Sequence, residues 1–141
     1  MIDLDDVSVS FTLPNGRRRT VLEDTSLHLD QSERAYLVGP TGSGKSTILR
    51  LLYMDLFPDS GVARVGDYRS DLIEEDEIPY LRRSLGVVFQ DFQLLPDRSA
   101  YENVAFALYA TGMRESKVKS RVLKSLAKVG LSHKQDNYPH E

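Results

Sequence analysis

The chain of 141 residues has no cysteine, which excludes a disulfide framework and any thiolate-held metal. It has no long apolar run either. The longest, Val104 to Ala110, falls far short of the roughly 20 residues that a membrane-spanning helix needs. The opening Met1-Ile2-Asp3-Leu4-Asp5-Asp6 is acidic where an export signal would be basic and then apolar, so a cytoplasmic address is expected. An excess of basic charge is also missing. Eighteen Lys and Arg stand against 21 Asp and Glu, a formal net charge of −3, and this balance does not favour a nucleic-acid backbone binder. Internal repeats and low-complexity stretches are absent. The three histidines, His28, His133 and His140, have no spacing that suggests a metal site or a catalytic base.

What is present describes one globular domain or part of one. Apolar residues make up 40% and charged residues 28% of the chain, enough for a packed core. Val7, Val9 and Phe11 alternate with serines, and Leu27 and Leu29 flank His28, the period-2 pattern of half-buried strands. Between them Pro14-Asn15-Gly16 signals a turn, and the basic run Arg17, Arg18, Arg19 reads as a solvated hairpin tip in preference to a phosphate contact. Ala35-Tyr36-Leu37-Val38 and Val87-Val88-Phe89 are short apolar runs, expected as strands buried on both faces. Thr47 to Phe57 is expected as a helix stopped by Pro58-Asp59-Ser60-Gly61, Val62 to Val65 as a short strand, and Tyr80 to Leu85 as a short helix with Pro79 at its start. Ser99 and Glu102 form a capping box ahead of an apolar segment, Tyr101 to Tyr109, expected to be mostly buried. A helix over about Glu115 to Val129 sets Val118, Val122, Leu126 and Val129 on one face, and its lysines and arginines read as a solvated face.

One segment carries chemistry. Gly39-Pro40-Thr41-Gly42-Ser43-Gly44-Lys45-Ser46 fulfils the pattern G-x-x-x-x-G-K-[ST], between an apolar run and a helical pattern. Gly39 and Gly44 let successive N–H groups turn into one concavity, an anion nest that β-carbons would obstruct. Lys45 brings an ammonium to the β- and γ-phosphates, Ser46 offers a hydroxyl to Mg²⁺, and the helix N-terminus adds its dipole. The fold class is therefore α/β, of the P-loop NTPase type, and the ligand a nucleoside triphosphate.

With Leu85-Gly86-Val87-Val88-Phe89-Gln90 downstream of this loop, the chain resembles the ATP-binding cassette (ABC) ATPases. Ile78-Pro79-Tyr80-Leu81-Arg82-Arg83, the stretch Val88 to Arg98 and Tyr101 to Leu108 look most like the FtsE-like branch that serves bacterial cell division. The ATPases of lipoprotein release and macrolide efflux are the alternative, and a soluble P-loop kinase a more distant one. The resemblance implies a nucleotide-binding core with an antiparallel β part over 1–90, and the start of a helical subdomain over 91–141. It implies ATP and Mg²⁺ as cofactors, with Gly39 through Ser46 on the phosphates and Thr47 on the α-phosphate. Lys45 and Gln90 would be catalytic, and Ser46 and Gln90 metal ligands. Phe11 takes the place of the aromatic that stacks on adenine; without the family it is the last apolar residue of an alternating strand. Phe92, Leu94 and Leu95 are either anchors for a partner's cytoplasmic helix or packing at the root of the next helix. The implied partners are a second copy in a nucleotide-sandwich dimer and an FtsX-like integral membrane protein, through which the subunit sits on the inner face of the plasma membrane.

The sequence departs from the family after Glu141. It has no Leu-Ser-Gly-Gly, no apolar strand ending in an Asp-Glu pair, and no later strand with a switch histidine. The expectation is an incomplete domain that binds ATP and hydrolyses it negligibly by itself, because in-line attack on the γ-phosphate needs charge neutralised on both sides.

Overall fold

Val7 and Val9 alternate with serines in a long strand, β1 (Ile2–Thr12), which turns back into β2 (Arg18–Leu29). The turn forms where Pro14-Asn15-Gly16 places it. The Leu13 amide donates to the Arg17 carbonyl at 2.8 Å, the Gly16 amide to the Leu13 carbonyl at 2.9 Å, and the Arg17 amide to Asn15 Oδ1 at 3.0 Å. β3 (Ser60–Val65) pairs with the other edge of β1, and β4 (Tyr68–Arg69) follows, giving an antiparallel sheet in the order β2-β1-β3-β4. The computed structural model describes all residues 1–141, in two compact units, Met1–Gly86 and Val87–Glu141.

A strict period of two would send Leu4 and Val7 to opposite faces, yet both are buried in one core with Val9, Leu22, Leu51 and Ala63. The register shift between Leu4 and Val7 resolves this. Asp6 takes φ 47° and, on β2 across from Ser8, Asp24 takes φ 42°. Two serines hold these kinks: Ser26 Oγ accepts from the Asp6 amide at 3.1 Å, and Ser8 Oγ accepts from the Asp24 amide at 2.9 Å. An extra residue with its backbone satisfied by side chains is a β-bulge. It brings a second buried side chain to the core face, worth about 1.5–3 kcal/mol when fully buried. Gly61 packs directly on this bulge at φ 78°, where a Cβ would collide with the main-chain carbonyls of Asp5 and Asp6.

The first helix, α1 (Lys45–Leu52), ends five residues before the expected stop at Phe57. Met54 adopts φ 52°, its amide donates to the Leu51 carbonyl at 3.1 Å, and the Asp55 amide donates to the Arg50 carbonyl at 3.0 Å. This is a Schellman closure with methionine in the left-handed position that glycine usually fills. Burial explains the choice: Met54 is 1% exposed and packs with Val65 and Leu81. Leu81 belongs to α2 (Ile78–Ser84), which starts two residues earlier than expected.

In the second unit, α3 (Ala100–Ala110) packs through Ala105 on Val118, Val122 and Leu126 of α4 (Glu115–Lys128). The capping box at its start is present: the Glu102 amide donates to Ser99 Oγ at 3.2 Å and the Ser99 amide to Glu102 Oε2 at 2.8 Å. Its other leading amides are also used, Ala100 on the Asn137 carbonyl and Tyr101 on the Gln135 carbonyl.

Four expectations are corrected. Ala35–Val38 and Val87–Phe89 are not strands; Tyr36, Val38 and Val88 are each at least 90% exposed. Apolar content marks a segment as fit for burial, but a doubly covered strand also needs neighbours, and all four strands of this chain belong to the antiparallel sheet. Tyr101–Tyr109 is only partly buried, with Phe106 and Tyr109 more than half exposed, because α4 covers one face of α3. Val129 is exposed, since the helix closes at that residue and the chain leaves the buried face.

Gly61→Ala is expected to lower the unfolding free energy by about 2–3 kcal/mol, measured by urea denaturation; an unchanged midpoint would show that the Asp5–Asp6 bulge yields. The Ser99 amide, with a smaller contribution from Arg98, holds the Glu102 carboxyl below its usual value. A depressed folded-state pKa stabilises above the ordinary carboxylate range and the effect is lost as pH falls through the depressed value. The stability gap between the parent and Glu102→Gln should therefore be full at neutral pH and close in acid, and a gap independent of pH would contradict the capping role.

Candidate functional site

The segment Gly39 to Thr47 enters α1 through a left-handed turn. Gly44 caps the helix at φ 91°, with no side-chain cap. A Cβ there would stand 2.8 Å from Leu22 Cδ2 and 3.2 Å from the Val21 carbonyl oxygen. Only glycine meets both requirements, positive φ and close approach to β2. The loop is thus held by the sheet, with Leu22 anchored in the core beneath it.

This geometry leaves main-chain donors unused. The amides of Gly42, Gly44, Lys45, Ser46 and Thr47 donate to no protein acceptor; the first regular bond is from the Ile48 amide to the Gly44 carbonyl at 2.9 Å. Every helix begins with such orphan amides, which are normally met by caps, water or ligands. In α3 the protein itself meets them, through Ser99, Gln135 and Asn137. In α1 it does not. Several N–H groups at a helix start, with the positive end of the helix dipole behind them, suit an anion.

The Lys45 side chain folds back across the loop. Its Nζ donates to the Gly39 and Pro40 carbonyls, both at 2.8 Å, and to Ser43 Oγ at 3.4 Å. These bonds brace the loop's first half and hold the ammonium on it. Thr41, Gly42, Ser43 and Ser46 are exposed, whereas Gly44 and Thr47 are buried. Phe11 is half-buried at the end of β1, packed against the cluster that contains Leu22 and Leu51, and is paired in register with Arg19 of β2. Gln90 lies exposed in a turn of the second unit, followed by Phe92 and Gln93 at φ 57° and 46°.

The structure therefore gathers Gly39 through Thr47 into one loop and places Phe11 in the same unit, with Gln90 in the other. No cluster of three His, Asp or Glu side chains is arranged to hold a metal ion. A divalent cation here would take the exposed Ser46 hydroxyl together with oxygens of a bound phosphate chain, a donor set that suits Mg²⁺.

Three features escaped the sequence reading. Val21 and Leu22 back Gly44, which the pattern of β2 does not reveal. Asn103 clamps the stretch that leads into α3: its Oδ1 accepts from the Leu95 amide at 2.8 Å, and its Nδ2 donates to the Leu95, Arg98 and Ser99 carbonyls at 3.0–3.1 Å. A lone Asn within an apolar helix was the available signal. Last, the basic run does not behave as one unit. Arg18 pairs with Asp59 at 3.1 Å, whereas the Arg19 guanidinium lies beside Gly42 of the loop.

Residues 22–141 match the family model described as ABC transporter. The chain is 43% identical over 122 residues to the cell division ATP-binding protein FtsE of Streptococcus pneumoniae, covering 86% of this chain and 53% of that protein. It is 40% identical to the FtsE of Bacillus subtilis over its whole length, 60% of that protein. The methionine import ATP-binding protein MetN of Bordetella pertussis is 36% identical, with 39% of its length covered. Among solved structures, the dimeric post-hydrolysis state of the ATP-binding cassette MJ0796 bound to ADP and Pi superposes with a TM-score of 0.88 at 27% identity, over 99% of this chain and 62% of that one. The chain spans little more than half the length of the FtsE relatives it matches. The family model matches most of the chain, from within β2 to the last residue, and the chain belongs to the ABC transporter family.

Proposed function

We propose that this chain is the ATP-binding portion of an FtsE-like ABC subunit, which couples ATP binding and hydrolysis to an integral membrane partner of the FtsX type in cell division. The observation that carries the nucleotide reading is the set of unused amides from Gly42 to Thr47, held by Gly44 against β2. Each can donate to a phosphate oxygen without giving up a bond inside the protein, so binding does not break the fold. Lys45 adds a charge-assisted donor by exchanging one of its loop contacts for a phosphate oxygen. Phe11 offers a ring face to adenine, and the Ser46 hydroxyl is the proposed Mg²⁺ contact within the loop's own unit. The cation, when bound, supplies charge neutralisation on the β- and γ-phosphates.

The cell-division role is supported by identities of 43% and 40% to two FtsE proteins. The 36% identity to MetN favours a second reading, the ATP-binding subunit of another ABC system. Dimerisation in a nucleotide sandwich is supported by the dimeric state named for the ATP-binding cassette MJ0796. Turnover is assigned to the whole subunit: this sequence carries no Leu-Ser-Gly-Gly and no apolar strand ending in Asp-Glu, and these 141 residues are expected to bind ATP without appreciable hydrolysis. No helix here is long and apolar enough to cross a membrane.

Lys45→Ala is expected to weaken ATP at least tenfold, since a charge-assisted hydrogen bond contributes about 1.5–3 kcal/mol, while adenosine binding changes little. Titration with a fluorescent ATP analogue measures it, and equal affinity in parent and variant would refute the loop assignment.

A further inference from the structure

Arg19 belongs to a run that the sequence presents as a solvated hairpin tip, yet its position in the fold is specific. The register sets Arg19 directly opposite Phe11, and directly opposed residues of an antiparallel pair project from the same face of the sheet. That face is the one that carries Val9 and Leu22, the latter in contact range of Gly44. Arg18, one residue earlier, projects from the other face and is bound to Asp59, which also accepts from the Ser10 amide at 2.7 Å. Arg19 reaches instead to the phosphate loop: its Nη2 stands 3.7 Å from the point that a Cβ on Gly42 would occupy. Its guanidinium makes no ion pair and no hydrogen bond within the protein. A guanidinium has five donors in a rigid planar fork suited to phosphate oxygens.

We propose that Arg19 is a second phosphate-binding cation of this site, contributed by the β1–β2 hairpin and acting across the loop from Lys45. The ligand chemistry is a nucleoside di- or triphosphate, engaged on its phosphate chain at the Gly42 side of the loop. The proposal rests on the reading of Gly39 to Thr47 as a triphosphate site. Arg19 would make affinity depend on phosphate charge more strongly than the loop and Lys45 do by themselves, and would tie the position of the hairpin, with Phe11 at its base, to the bound nucleotide.

The test is titration of ATP, ADP and adenosine against the parent chain and the variants Arg19→Gln, Arg19→Lys, Arg18→Gln and Lys45→Ala. Arg19→Gln is expected to weaken ATP roughly tenfold and adenosine less than twofold, as the loss of one charge-assisted contact implies. Arg19→Lys should recover part of the loss, and Arg18→Gln, with the same change in net charge, should stay within about twofold of the parent. If Arg19→Gln binds ATP like the parent while Lys45→Ala is impaired, Arg19 is a solvated side chain and the proposal fails while the loop assignment stands. Equal losses in Arg18→Gln and Arg19→Gln would reduce the effect to general surface charge and also overturn it. Unchanged binding in Lys45→Ala would instead sink the loop assignment on which it rests.

Discussion

The contact between Gly44 and β2 is the constraint on which the site depends. A helix must begin with several N–H groups that its own hydrogen-bond pattern does not use, and a protein usually hides this cost with a cap. Here the capping position is glycine pressed on Val21 and Leu22, and no side chain can be accommodated there to supply a cap. The close approach that fixes the loop thus also leaves the following amides without a partner. α3 shows the opposite solution within the same chain, with Ser99, Gln135 and Asn137 taking up its first donors.

The antiparallel sheet matters because it makes that contact rigid. Leu22 can press on Gly44 only while it is buried with Leu4, Val7, Val9 and Leu51, and Leu4 and Val7 share that core only through the bulge at Asp6. Gly61 supports the bulge from β3. α1 is anchored at its far end by the Met54 closure, where a buried side chain outweighs the strain of a left-handed backbone. A positive φ at a non-glycine residue costs of the order of 1–3 kcal/mol, which is comparable with the gain from burying a methionine. The loop is therefore fixed at both ends of its helix by packing.

Features of the sequence were legible where the physics is local. The glycine pattern, the Pro14-Asn15-Gly16 turn, the Ser99–Glu102 box and the stripe of Val118, Val122 and Leu126 each depend on residues within a few positions of one another. The end of α1 was not legible: nothing near Tyr53 breaks a helix, and the stop comes from the pull of Val65 and Leu81 on Met54. The run Arg17 to Arg19 shows the same limit. A run of three arginines has one composition, but the two faces of a strand separate its members, and only pairing with β1 reveals which arginine meets Asp59 and which meets the loop.

Ala35–Val38 makes the sharpest contrast. It leads directly into the loop and has the composition of a covered strand, yet Tyr36 and Val38 are exposed and no strand pairs with it. If the loop took its shape from that preceding segment, an unpaired lead would leave it undefined. It does not, because the restraints come from elsewhere: Val21 and Leu22 set Gly44, and Lys45 Nζ ties Gly39 and Pro40 to the start of the helix. The shape of the loop is specified by β2 and α1, so it does not depend on pairing of the segment that precedes it.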